Sequence, residues 1–179
     1  KSNEERIYIY NEHDSGRILN NNYYSKEAYS KGCITEGEFN NFELKCVISA
    51  ECTEKDSEFG VIFRSSELSL GGEGDDECLG INFFIGYSLG ITKDCLVLSK
   101  HRYDKKELKR VPISTADYKS VDVIVKCVLD EINVYIDNET TPVISYSDST
   151  PIIYGGIGYR AVKSEGSEIS FNYVREIEI

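Results

Sequence analysis

VDVIVKCVLDEINVYIDN, residues 121–138, alternates apolar and polar side chains in two runs with a short polar break between them. In the first run Val121, Val123, Val125, Cys127 and Leu129 share one face. In the second, Ile132, Val134 and Ile136 form the apolar set, while Asn133, Tyr135 and Asp137 point the other way. A period of two is that of a strand with one buried face, so the stretch predicts two strands in close succession.

The pattern extends in both directions. Strands are predicted at IYIY (7–10), GCIT (32–35), FELKCVISAE (42–51), FGVIFRSS (59–66), LGINFFIGYS (79–88), CLVLSKHRY (95–103) and KELKRVP (106–112). TPVISYSD (141–148), YGGIGYRA (154–161) and EISFNYVREIEI (168–179) complete the set. Turn chemistry separates them at TEKDSE, LGGEGDDE, DNETT, SDSTP and KSEGSE. NEHDSGRILNNN reads as loop, and residues 22–31 as a short helical turn. No other segment has helical periodicity, and no repeat or linker marks a boundary. The expected fold class is all-β, an antiparallel β-sandwich of jelly-roll type in one domain over 1–179, with 1–31 as the N-terminal strand and loop that complete it.

Composition narrows the partners. The 179 residues suffice to bury a continuous core, and 40% apolar with 28% charged residues is a globular balance. No run approaches the ~18 apolar residues of a membrane span. With 20 Lys and Arg against 31 Asp and Glu, the net charge of −11 disfavours nucleic acid and anionic membranes. The basic cluster KHRYDKKELKR (100–110) is broken by Asp104 and Glu107 and reads as a solvated strand edge and turn. A start at Lys1 with no methionine and no apolar leader is expected of a piece of a longer precursor or of a mature form. Of the six cysteines, Cys46 and Cys127 fall on core faces. Cys33, Cys52, Cys78 and Cys95 lie in or beside turns, where bridging stays open, and none has zinc-ligand spacing.

Alternation also assigns sides to the candidate site residues. Val61 and Phe63 face opposite to Ile62 and Arg64; Ile81, Phe83 and Ile85 opposite to Asn82, Phe84 and Gly86; Ile157 and Tyr159 opposite to Gly158 and Arg160. The expected ligand-binding set is Arg64, Asn82, Phe84, Tyr135 and Arg160, with both arginines facing a shared solvent-filled concavity. Planar donors, acceptors and aromatic faces are the groups that hold sugars. The plain alternative pairs Arg64 with Glu58 or Glu67, and Arg160 with Glu165 or Glu168. EKDSEF (54–59) spells the E-x-D-x-E spacing of certain retaining glucanases, with Glu54, Asp56 and Glu58 as its carboxylates. Lys55 and Ser57 stand where a core-packed strand needs apolar residues, so the stretch reads as a turn. His13 and His101 lie in polar surroundings and are not read as parts of a catalytic triad. In SLGGEGDDE (69–77), Asp75 and Asp76 are the candidate ligands of a structural calcium, against the alternative of an acidic solvated loop.

The order NNFELKCVI, FGVIFRSS, INFFIG, CLVLSK, VDVIVKCVLDEINVYIDN, YGGIGYRA and SFNYVREIEI resembles the concanavalin A-like lectin/glucanase superfamily over about residues 38–177. Within it the chain is most similar to fructan-binding modules of exo-levanases and to 3-keto-disaccharide hydrolase-type domains. It departs from them in having Tyr118 for a usual tryptophan, DNET (137–140) for a hairpin "DG", and Phe171-Asn172-Tyr173-Val174 for "FDNV". The resemblance implies a non-catalytic module that holds a polysaccharide, extracellular or at the cell surface, beside the remainder of a larger multidomain protein. A structural accessory or adhesin domain and a glycoside hydrolase domain are the alternatives.

Overall fold

In the computed structural model the 121–138 stretch is a hairpin, β10 (Val121–Val128) and β11 (Glu131–Ile136), paired antiparallel from Val123↔Ile136 to Val128↔Glu131. The structure describes residues 28–35, 38–68, 80–113 and 120–179, and the backbone of three strands before them. Those are β1 (Glu5–Tyr8), β2 (Gly16–Leu19) and β3 (Asn22–Ser25). The rest are β4 (Tyr29–Thr35), β5 (Phe42–Ser49), β6 (Glu58–Ser66), β7 (Ile85–Ile91), β8 (Cys95–Arg102), β9 (Lys106–Pro112), β12 (Ile144–Ser147), β13 (Gly156–Val162) and β14 (Glu168–Glu176).

The strands form two seven-stranded antiparallel sheets, in the orders β1-β4-β13-β6-β7-β8-β9 and β12-β11-β10-β5-β14-β3-β2. Their inner faces meet in one core. Phe42, Leu44, Cys46 and Ile48 of β5 and Val121, Val123, Val125 and Cys127 of β10 pack against Phe59, Val61 and Phe63 of β6, Leu89 of β7 and Ile157 and Tyr159 of β13. Each fully buried aliphatic side chain contributes about 1.5–3 kcal/mol. Both cysteines expected in the core are fully buried there. The architecture is the expected all-β jelly-roll sandwich. Among the described residues no helix is long and apolar enough to cross a membrane.

Local expectations fail where a turn interrupts the period. Leu129 shares the apolar face in the sequence pattern but is 56% exposed with φ of 57°. The hairpin reverses there, and left-handed backbone takes the side chain off the core face. Residues 22–31 hold parts of β3 and β4 rather than a helical turn, and β2 lies within the stretch read as loop. LGINFFIGYS is not one strand: β7 begins at Ile85, and the residues before it leave the sheet. The basic stretch divides. β9 is an exposed, charged edge strand, whereas Lys100 and His101 of β8 are buried.

One end of the sandwich is held by polar groups. Tyr87 stacks on Phe63 with centroids 5.6 Å apart and donates to Asp148 Oδ2 at 2.6 Å. Lys100 Nζ lies 2.8 Å from the same carboxylate and donates to the Thr150 carbonyl. This network fastens β7 and β8 to the segment between β12 and β13.

Candidate functional site

The register of the first sheet lays out its outer face. Lys31 on β4 lies opposite Arg160 on β13, Arg160 opposite Gly60 on β6, and Gly60 opposite Gly90 on β7. The next row is Cys33, Gly158, Ile62, Ser88 and Ser99. Their strand neighbours face the core, so these residues face away from it. Glu58, two residues before Gly60, shares this face. A Cβ at Gly90 would lie 2.3 Å from Glu58 Oε2, so the glycine leaves the space that the carboxylate occupies.

Polar side chains converge here. Glu58 Oε1 lies 3.1 Å from Arg160 Nη1 and 3.0 Å from Lys105 Nζ. Arg160 Nη2 donates to Asn82 Oδ1 at 2.7 Å, and Lys31 Nζ donates to the Gly80 carbonyl at 2.5 Å. The side chains of Glu58 and Arg160 are each 4% exposed, while Lys105 is 30% exposed at the rim. Among the described residues, Glu58 Oε2, Arg160 Nε and Ser99 Oγ are buried without a hydrogen-bond partner.

Residues 80–84 lie over this face. Ile81 and Phe84 are buried, and Phe84 stacks on the His101 ring at 4.3 Å. The Phe84 carbonyl accepts from Tyr103 N at 2.9 Å. The Asp104 carbonyl can only accept, so His101 Nδ1 donates to it at 2.8 Å and Nε2 accepts from Ser88 Oγ at 2.8 Å. His101 is thus paired with a serine, but the third partner is a backbone carbonyl and not a carboxylate. Burial, assisted by the charges of Arg160, Lys105 and Lys31, holds the imidazole well below its ordinary range, hence neutral. Burial alone would raise the Glu58 carboxyl; Arg160 and Lys105 outweigh it and hold the group below its ordinary value. Burial, with Arg160 beside it, brings the Lys31 amine down to about 7.

The candidate residues separate into different places. Arg160 and Asn82 come together, with Phe84 in the same segment. Arg160 pairs with Glu58 and not with the expected Glu165 or Glu168. Tyr135 lies on the second sheet, half-buried on β11 opposite Ile124 of β10. Arg64 faces no solvent-filled concavity. It is fully buried with φ of 49°, where the pairing of β6 with β7 shifts register between Phe63 and Ser66. Its Nε and Nη2 donate to the Asn40 carbonyl at 3.0 and 2.5 Å, and its Nη1 to the carbonyls of Leu129 at 2.8 Å and Ile152 at 2.9 Å. The bulge turns the side chain into the end of the sandwich, where turn carbonyls need donors. Glu54 and Asp56 are exposed in a turn, with Asp56 paired to Lys163 at 2.7 Å, so the E-x-D-x-E carboxylates share no strand face. Asp75, Asp76, Cys78 and Tyr118 lie outside the described residues. Among the described residues, no group of three His, Cys, Asp or Glu side chains is placed to hold a metal.

Glu58, Lys31 and Lys105 were missed as members of this cluster. The signal for Glu58 was its even spacing from Gly60 and Ile62. Lys31 was hidden by reading 22–31 as helical, and Lys105 reaches the site only through the β8–β9 turn.

No protein-family model and no curated protein matches the chain. Solved structures do. The chain is similar to the carbohydrate-binding module CBM66 from Bacillus subtilis, with a TM-score of 0.69 at 15% identity, over 97% of this chain and 96% of that one. The two share a jelly-roll β-sandwich fold. The same fold covers 98% of this chain and 86% of the VIP36 exoplasmic/lumenal domain in its Ca2+/Man3GlcNAc-bound form, with a TM-score of 0.63 at 11% identity. A Bacillus subtilis protein of unknown function with a galectin-like fold matches over 97% of this chain and 89% of its own, with a TM-score of 0.66 at 10% identity. At such identities the shared property is the fold itself.

Proposed function

We propose that the chain is a carbohydrate-binding module that holds a sugar at Arg160, Asn82 and Glu58 on the outer face of the first sheet. The observation that carries this reading is the pair of unfilled groups at its centre. Among the described residues, Glu58 Oε2 is a buried acceptor without a donor, and Arg160 Nε a buried donor without an acceptor. Leaving such groups unpaired costs about 1–3 kcal/mol each. The adjacent hydroxyls of a sugar both donate and accept, so one can fill Oε2 while its neighbour fills Nε. Half-buried Asn82 and the more exposed Lys105 stand at the rim where a sugar ring enters. The named sugar binding of CBM66 and the mannose-containing glycan bound to VIP36 support the reading.

The site holds a sugar rather than cleaving it. A general acid needs a raised carboxyl pKa, and the two cations on Glu58 work in the opposite direction. The ligand is a polysaccharide met outside the cell, and the module sits beside the rest of a larger protein. A structural calcium at Asp75 and Asp76 belongs to the same proposal, on the likeness to Ca2+-bound VIP36.

The test is affinity electrophoresis of the chain and of Arg160→Met through gels holding levan, inulin or β-glucan. Retardation of the parent, lost in the variant, is the expected result. Retardation that survives in Arg160→Met moves the site elsewhere. One observation favours an accessory domain instead: Leu129, Ile153 and Tyr154 are each more than half exposed. Leu129 and Ile152 share the Arg64 Nη1 group, so the three apolar side chains lie at one end of the sandwich. Failure of every glycan to retard the parent supports that reading.

A further inference from the structure

Away from the sugar site, three large apolar side chains stand in water at one end of the sandwich: Leu129, Ile153 and Tyr154. They come from two segments that the fold brings together. Arg64 Nη1 bonds the carbonyls of Leu129 and Ile152 at once, and Asn41 Oδ1 accepts from Leu129 N at 2.7 Å. Gly155, next to Tyr154, exchanges backbone bonds with the buried Phe39 at 2.9 and 3.3 Å. The backbone beneath the three side chains is therefore fixed from inside the sandwich. Leu129 is kept there at a cost. It is the first of two residues between the paired Val128 and Glu131, and its φ of 57° is where hairpin turns put glycine or asparagine. A leucine in left-handed backbone is strained, and an exposed one adds nothing to the core.

We infer that this end is a docking face for a polypeptide that presents apolar side chains ringed by Lys and Arg. The apolar part supplies the centre of such a contact, where tyrosine and large aliphatic groups lose water on binding. The charge of the partner follows from the rim. Asp130 and Glu131 adjoin Leu129, and Glu38 adjoins Phe39, which pairs with Gly155. All three carboxylates are exposed, and none is in an ion pair among the described residues. A basic rim complements them. A second copy of the chain would set like-charged rims against one another, and an anionic membrane is repelled in the same way. The face does not compete with the sugar site. Arg64 and Glu58 stand towards opposite ends of β6, about 20 Å apart along the strand, so a sugar and a partner are held together. The inference is independent of the sugar reading.

The experiment is calorimetric titration of the whole chain with three synthetic amphipathic peptides: one of leucine and lysine, one of leucine and glutamate, and one of serine and lysine. The expected result is binding of the leucine–lysine peptide about tenfold or more tighter than of either control. Leu129→Gly, and independently Tyr154→Ser, should each weaken it about tenfold and leave the sugar-gel behaviour as in the parent. Leu129→Gly should also raise Tm by about 2–4 °C, because glycine takes the positive φ without strain. A lower Tm in Leu129→Gly shows that the leucine serves the fold and overturns the inference. So does failure of the leucine–lysine peptide to bind, or binding that both variants leave intact. Equal affinity for the leucine–glutamate peptide overturns the basic partner, and equal affinity for the serine–lysine peptide reduces the effect to unselective attraction of charge. Sedimentation of the chain as a dimer that Leu129→Gly dissociates gives the face to a second copy. Flotation with phosphatidylcholine vesicles, lost in Leu129→Gly, gives it to a membrane. Either result overturns the inference, and none of these outcomes touches the sugar site.

Discussion

Arg64 and Arg160 stand on neighbouring strands of one sheet, both almost wholly buried, and they do opposite things. Arg64 gives four hydrogen bonds to three backbone carbonyls, from Asn40, Leu129 and Ile152. Arg160 is held by the side chains of Glu58 and Asn82, with Nε unfilled. The first is spent on backbone groups that the fold itself leaves unpaired. The second is held by groups that can exchange partners. A buried guanidinium is therefore not a site by virtue of its burial; what it bonds to decides.

The largest expected effect breaks the pair apart. Arg64→Ala leaves three carbonyls without their charged donor and should cost about 3–5 kcal/mol of stability, read from urea unfolding. Sugar affinity of the remaining folded protein should be unchanged, the reverse of Arg160→Met. A loss under about 1 kcal/mol would end the distinction between the two arginines.

A smaller effect lies in the pH dependence. The folded Lys31 amine titrates near 7, below its ordinary 10.5, so between those values the unfolded chain binds more protons. Stability should therefore rise with pH from about 7 upward, and Lys31→Met should flatten that rise. Melting temperatures taken between pH 6.5 and 9.5 measure it, and an unaltered slope in Lys31→Met would show that another group drives the rise. Smallest is the calcium effect. Occupancy at Asp75 and Asp76 should raise Tm by about 2 °C in millimolar calcium, reversed by EDTA. No shift would remove calcium from these two residues.

The sandwich was legible because alternation reports burial directly. Phe42, Leu44, Cys46 and Ile48 alternate in the sequence and are all fully buried. Val61, Phe63, Ile157 and Tyr159 likewise face the core as read. The site was legible only in part. Arg160 and Asn82 were named on separate strands, yet their contact depends on residues 80–84 leaving the strand pattern to cross the sheet. Arg64 was misread because a two-residue period assumes extended backbone, and its φ of 49° does not obey it. Leu129 failed for the same reason.

The sequence by itself determined that this chain is an all-β sandwich, because each strand's period-two pattern states which face must leave water. Only the tertiary structure decided which polar residues meet. Glu58, Asn82, Lys105 and Arg160 are separated by tens of residues and share no local pattern. Sheet register and the path of the connecting segments bring them together, and both follow from packing of the whole chain rather than from any stretch of it.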